Sequence, residues 1–164
     1  MKTALSVPPW GAPDPTKELM EALGIIGSGT TAAAKAQYNR LKRKGGSVPK
    51  GMQSSINKVL DAKFESAGWS VKDGRYLKDG TYVRVTFRHA MSMGTDILDV
   101  MKACAKDDVK LAVILACDIE ALRKIAPSQA ASMVSFEKLS REVQELDGVV
   151  DIPLMIGELI PKSL

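Results

Sequence analysis

The apolar positions of this chain keep two different periods, and the change between them marks out the elements. Asp14 as N-cap and Pro15 in the first turn open a short helix whose Leu19, Met20, Leu23 and Ile26 share a face, ended by glycines at 27 and 29. A second helix is predicted from Thr30 through TAAAKAQYNRLKRK to the break at Gly45 and Gly46. Met52, Ile56, Val59, Leu60 and Phe64 then line up on one helical stripe, the clearest amphipathic helix in the chain.

From Gly68 onward the period shortens to two. The stretch GWSVKDGRYLKDGTYVRVTFRH sets Asp-Gly pairs at 73–74 and 79–80 between β-prone segments, which predicts hairpin-linked strands. Ser92 or Thr95 is placed to cap a helix carrying Ile97, Leu98, Met101, Cys104 and Ala105. VKLAVILAC follows as a continuous apolar run, suited to a strand buried on both faces. Asp118 caps a helix over IEALRKIA that Pro127 stops. Ser135 caps another, whose Phe136, Leu139, Val143 and Leu146 share a face, and PLMIGEL reads as a last strand. Helices first, then β-β and α-β-α-α-β, predict an α/β fold: a mixed sheet flanked by helices in a single domain.

At 164 residues and 45% hydrophobic content, the chain supports one domain with a substantial core. Prolines crowd residues 1–15, so that stretch is expected to be an extended arm, with the domain running over 16–164 and a basic helical part over 16–50. The N-terminal apolar stretch breaks at Pro8 and Pro9, short of a signal sequence, and no apolar run is long enough to span a membrane. Cys104 and Cys117 sit in apolar runs and read as small buried hydrophobes. With the single His89 they leave too few soft ligands for a zinc site, and a reducing cytoplasm is the expected setting.

The formal net charge of +4 takes its meaning from where the cations sit. Lys35, Arg40, Lys42, Arg43, Lys44 and Lys50 fall in one stretch without an acid, a cluster larger than the whole chain's excess. A helix ending in RLKRK can lie along a phosphate backbone, or it can be a solvated helix end whose cations complement the carbonyl pole. In YVRVTFRH, residues 82–89, Arg84, Thr86 and Arg88 share one strand face while Val83, Val85, Phe87 and His89 take the other. Two guanidiniums there either meet acids such as Glu65 or Asp79, or line a cleft that receives an anion.

Phosphodiester hydrolysis usually brings two or three acids onto a divalent cation, and the acids nearby are Glu65, Asp73, Asp79, Asp96 and Asp99. Turn chemistry suffices for Asp73 and Asp79, and dipole complementation for Asp96. His89 reads as a hydrogen-bonded structural residue on the apolar side. GIIGSG at 24–29 follows a helix and lacks the lysine of a phosphate-binding loop, and no Ser or Cys stands in a nucleophile elbow.

FESAGW, followed by YVRVTFRHAMSMGTDILDVMKACAKDDVKLAVILA, resembles the BglII/BstYI group of type II restriction endonucleases in the PD-(D/E)XK superfamily, over residues 52–125. The resemblance implies a restriction-endonuclease-like fold, binding of double-stranded DNA, a homodimer acting on palindromic sites, and Mg²⁺-dependent hydrolysis. In that group the central strand carries a pattern like Val-Glu-Val-Gln-Phe, whose acid binds the metal and whose second polar residue helps position the attacking water. Here the same register reads Val83-Arg84-Val85-Thr86-Phe87. An aspartate some residues earlier completes the group's metal site, and Asp79 or Asp73 stands nearest. The expectation is a DNA-binding protein that contacts the strand through the six cations of the basic stretch with Arg84, Thr86 and Arg88. If it cleaves, Glu65 and Asp79 are the catalytic acids and Asp79 the metal ligand. The competing expectation is a protein-interaction module whose arginines are paired internally.

Overall fold

The structure, a computed structural model, describes residues 1–6, 14–43, 51–146 and 153–161. Strands β1 (Lys2–Ser6), β2 (Ser70–Lys72), β3 (Arg75–Lys78), β4 (Thr81–Val85), β5 (Leu111–Cys117) and β6 (Leu154–Ile160) form a sheet in the order β1-β6-β5-β4-β3-β2. Helices α1 (Lys17–Gly27), α2 (Thr30–Arg43) and α3 (Gln53–Ser66) precede β2. Helix α4 (Met93–Lys106) joins β4 to β5, and α5 (Ile119–Ile125) with α6 (Phe136–Glu145) joins β5 to β6. The central β4, β5 and β6 are parallel, and antiparallel strands flank them on either side.

Each residue of β5 is buried. Leu111, Val113, Leu115 and Cys117 join the core beneath α1, α3 and α5, while Ala112, Ile114 and Ala116 join the core beneath α4 and α6. That is why the run is apolar throughout: helices cover both faces. The hairpins form where the Asp-Gly pairs stand. Asp73, Gly74, Asp79 and Gly80 have φ of 51°, 72°, 45° and 78°, the paired left-handed conformation of a two-residue hairpin loop. The second loop also fixes a register in which Arg75 lies directly opposite Arg84.

Asp118 and Ser135 cap α5 and α6, accepting from Ala121 N and Lys138 N. The first helix is capped by Thr16 in place of Asp14; Thr16 Oγ1 accepts from Leu19 N at 3.0 Å and also bonds Thr81 Oγ1 at 2.8 Å, so tertiary contact favours it. In α4 the inward face is Met93, Asp96, Ile97, Val100 and Ala103, whereas Leu98 and Met101 are exposed. The helix is turned so that Asp96 faces the sheet, where arginines await it.

Lys2–Ser6, expected as part of an arm, is extended and also hydrogen bonded along β6 as the edge strand. Residues 7–13 lie outside the described residues. Among the described residues no helix is long and apolar enough to cross a membrane. Both cysteines are free thiols, and burial pushes the Cys117 thiol up.

Helices α2 and α3 pack side by side. Lys63, in the last turn of α3, donates to Ser28 O and, at 3.1 Å, to Thr30 Oγ1 where α2 begins. The end of α3 therefore meets the start of α2, and the pair runs antiparallel. The basic end of α2 accordingly lies beside the N-terminal end of α3.

Candidate functional site

Two arginines placed opposite each other on an antiparallel pair repel, so β3 and β4 require acids on that face. Helix α4 supplies them from Asp96 and Asp99, three residues apart and so on one side of the helix. Asp96 Oδ1 accepts from Arg84 Nη2 at 3.0 Å and from Arg88 Nη1 at 2.9 Å, and its Oδ2 accepts from Thr86 Oγ1 at 2.8 Å. Arg84 Nη1 also donates to the Asp73 carbonyl at 2.6 Å. Arg75 Nη1 donates to Asp99 Oδ2 at 3.2 Å, and its Nη2 lies 3.5 Å from Asp73 Oδ2.

Burial differs sharply within this network. The Arg84 and Asp96 side chains are 4% and 1% exposed, whereas Arg88 is 41% exposed. Ions that deeply buried persist only with matched charge and near-complete hydrogen bonding, which Thr86 and the Asp73 carbonyl help provide. Arg84 Nε is the donor left without a partner.

Beside the network opens a cleft of about 640 Å³ at the carboxyl end of β4, the position where parallel sheets usually receive ligands. Gln53, Ser54 and Asn57 of α3 form one wall, and Thr95 and Asp99 of α4 another, with Asp73, Arg75, Arg84 and Arg88 between them. Gln53 Oε1 and Asn57 Oδ1 have no hydrogen-bond partner. Arg75, Arg84 and Arg88 are matched by Asp73, Asp99 and the buried Asp96, so the cleft carries no excess charge.

The expected site residues are distributed unevenly around it. Arg84 and Arg88 line the cleft, and Thr86 lies buried behind it on Asp96. Lys35, Arg40, Lys42 and Arg43 are exposed on α2; none lines the cleft, and none pairs with an acid among the described residues. Lys42 sits 4.7 Å over the Tyr38 ring. Lys44 and Lys50 lie outside the described residues. Glu65 is exposed in the last turn of α3 and Asp79 in the β3–β4 turn, and neither lines the cleft.

The acids that meet the arginines are Asp96 and Asp99, where Glu65 or Asp79 was expected. Glu65 is exposed in the last turn of α3 and Asp79 in the β3–β4 turn, while the α4 pair is presented by a helix packed on the sheet face that carries the arginines. His89 is exposed beyond the end of β4, its backbone bridged to Met133, so it is no packed structural residue. Sequence reasoning missed Arg75 altogether. The signal was present: a two-residue loop at 79–80 forces residue 75 opposite residue 84.

Mg²⁺ needs carboxylate oxygens free to ligate it. Both oxygens of Asp96 are already taken, Asp99 and Asp73 face Arg75, and two guanidiniums stand side by side at the strand register. No group of three or more His, Cys, Asp or Glu among the described residues could hold a metal ion. The side chains at this cleft do not fit a divalent metal.

In backbone shape the chain is similar to the restriction endonuclease BglII. The crystal structure of that enzyme complexed with a DNA 16-mer matches with a TM-score of 0.50 and 16% identity, over 65% of this chain and 54% of that one. Free BglII matches with a TM-score of 0.47 and 16% identity, over 65% and 57%. The fold is thus BglII-like and restriction-endonuclease-like, and the chain spans little more than half the length of that enzyme. No protein-family model matches the chain, and no curated protein matches its sequence.

Proposed function

We propose that this chain binds nucleic acid, double-stranded DNA above all, at the end of the molecule where the cleft and the basic end of α2 adjoin, and that it holds the strand without metal-dependent cleavage. The observation that carries this reading is the antiparallel packing of α2 on α3. Lys63 anchors the far end of the pair, so Arg40, Lys42 and Arg43 fall at the same end as Gln53, Ser54 and Asn57, which open onto the cleft. Exposed cations around a groove bind a polyanion by releasing its counterions, and half-exposed Arg88 adds a guanidinium at the groove itself. The likeness to an endonuclease that was crystallised with DNA supports the same choice of partner.

The test is anisotropy of a labelled duplex with the whole chain in EDTA and in Mg²⁺ or Mn²⁺, alongside a plasmid-nicking assay. Binding should fall steeply with salt, be indifferent to EDTA, and leave the plasmid intact. Nicking that requires Mg²⁺ and is lost in both Glu65→Gln and Asp79→Asn would instead establish the metal-dependent endonuclease with Glu65 and Asp79 as its acids. The stoichiometry on the duplex tests the homodimer that the family resemblance implies.

A second reading, a protein-interaction module, is favoured by the ion pairs, since Arg75, Arg84 and Arg88 each already face a carboxylate. A protein that passes unretained through a DNA column at low salt would favour it over the nucleic-acid reading.

A further inference from the structure

Between α4 and the β2–β3 hairpin lies a second depression, of about 450 Å³. The Arg75–Asp99 ion pair lines both it and the cleft, and so forms the wall between them. Lys72 of β2 opens onto it, as do Lys102 and Lys106 of α4, four residues apart and therefore on one helix face. With Arg75 these make four cations against two carboxylates, Asp99 and Asp107, an excess of two positive charges. None of the three lysines pairs with an acid among the described residues.

The pocket also has an unsatisfied polar wall. Tyr82 is 4% exposed, lines the depression, and its hydroxyl has no hydrogen-bond partner. A phenol without a hydrogen-bond partner and three ammonium groups without an acid line the same depression, and every one of those groups can donate. The species that completes such a set is an oxyanion.

We propose that this pocket receives a phosphate of a nucleic-acid strand that runs over Arg75 from the cleft. The proposal rests on the nucleic-acid reading above and extends it, because the cleft is neutral and the excess charge lies one step beyond it. Lysine ammonium groups bind phosphate as point charges and carry no base preference, so the pocket fixes the strand's path and leaves base choice to other groups.

The test compares the wild-type chain with K72Q/K102Q/K106Q by duplex anisotropy across a series of NaCl concentrations. Loss of that one phosphate contact should weaken binding roughly tenfold at moderate salt, and should flatten the slope of log K against log salt by about one. The lysines are exposed, so melts of the two free proteins should coincide. If the wild type binds and the variant binds equally well with the same slope, the pocket is overturned while the nucleic-acid reading survives. If the wild type binds no duplex, that reading fails first, and inorganic phosphate at matched ionic strength then identifies the source. A melting-temperature rise in the wild type that the variant lacks would mean a free-phosphate site and overturn the strand assignment; no rise would overturn the pocket altogether. Tyr82→Phe removes a donor but no charge, so duplex affinity should drop roughly three- to tenfold at unchanged salt slope. An unaltered affinity would remove Tyr82 from the pocket.

Discussion

The arginine cleft and the lysine pocket share a wall but use their charges in opposite ways. In the cleft, Arg84 is buried and its cation is held by Asp96, by the Asp73 carbonyl and, through Asp96, by Thr86. In the pocket, Lys72, Lys102 and Lys106 are exposed and face no acid among the described residues. A buried guanidinium brings its own counter-charge into the fold, because leaving it bare is prohibitive, whereas a flexible solvated ammonium can wait for a ligand. Arginines on a strand therefore mark architecture here, and lysines on a helix mark the surface field.

The largest expected effect breaks that comparison on stability. Asp96→Ala leaves Arg84 buried without its partner and should cost about 3–5 kcal/mol in chemical denaturation. Lys102→Gln with Lys106→Gln should shift the same measurement by no more than about 0.5 kcal/mol. Equal losses from the two regions would erase the distinction. A smaller effect tests the wall they share: Arg75→Gln frees the Asp99 carboxylate toward both depressions, and duplex affinity should fall roughly tenfold with the salt slope reduced by about one. Undiminished affinity would mean that no strand crosses the wall.

A third effect concerns pH. Burial pushes the Tyr82 hydroxyl from its ordinary 10.0 up to about 12, with Arg84 and Arg75 pulling the other way. The folded state thus holds this proton more tightly than the unfolded chain. Its contribution is present below the unfolded value and is lost as pH rises from 10.0 through about 12. Tyr76, also raised by burial and by Asp61, contributes a similar loss in either protein. Tyr82→Phe should therefore lose less stability than the wild type over that alkaline interval, read from urea midpoints. Parallel curves would show that the hydroxyl is not enclosed beside the pocket.

Much of the fold was legible in the sequence because its signals are local. The Asp-Gly turns at 73–74 and 79–80, the caps Asp118 and Ser135, and the apolar run of β5 each depend on neighbours a few residues away. Of the apolar residues expected on α4, Ile97 is buried while Leu98 and Met101 are exposed, because the sheet presents arginines there and the helix turns Asp96 inward beside Ile97. Proline content hid β1, since residues 2–6 pair with a strand at the far end of the chain, Lys2 opposite Ile160 and Ser6 opposite Ile156.

By itself the sequence determined that this is one α/β domain, that Arg84, Thr86 and Arg88 would turn to one side even though β4 stops at Val85 and only Arg84 lies in the strand, and that α2 would end in a block of cations. Which carboxylate met those arginines was decided only when α4 packed on the sheet, because an ion pair between distant segments leaves no trace in local periodicity. The same packing brought Lys72, Lys102 and Lys106 to the depression that Tyr82 also lines, and so moved the excess positive charge from the strand that advertised it to a pocket next door.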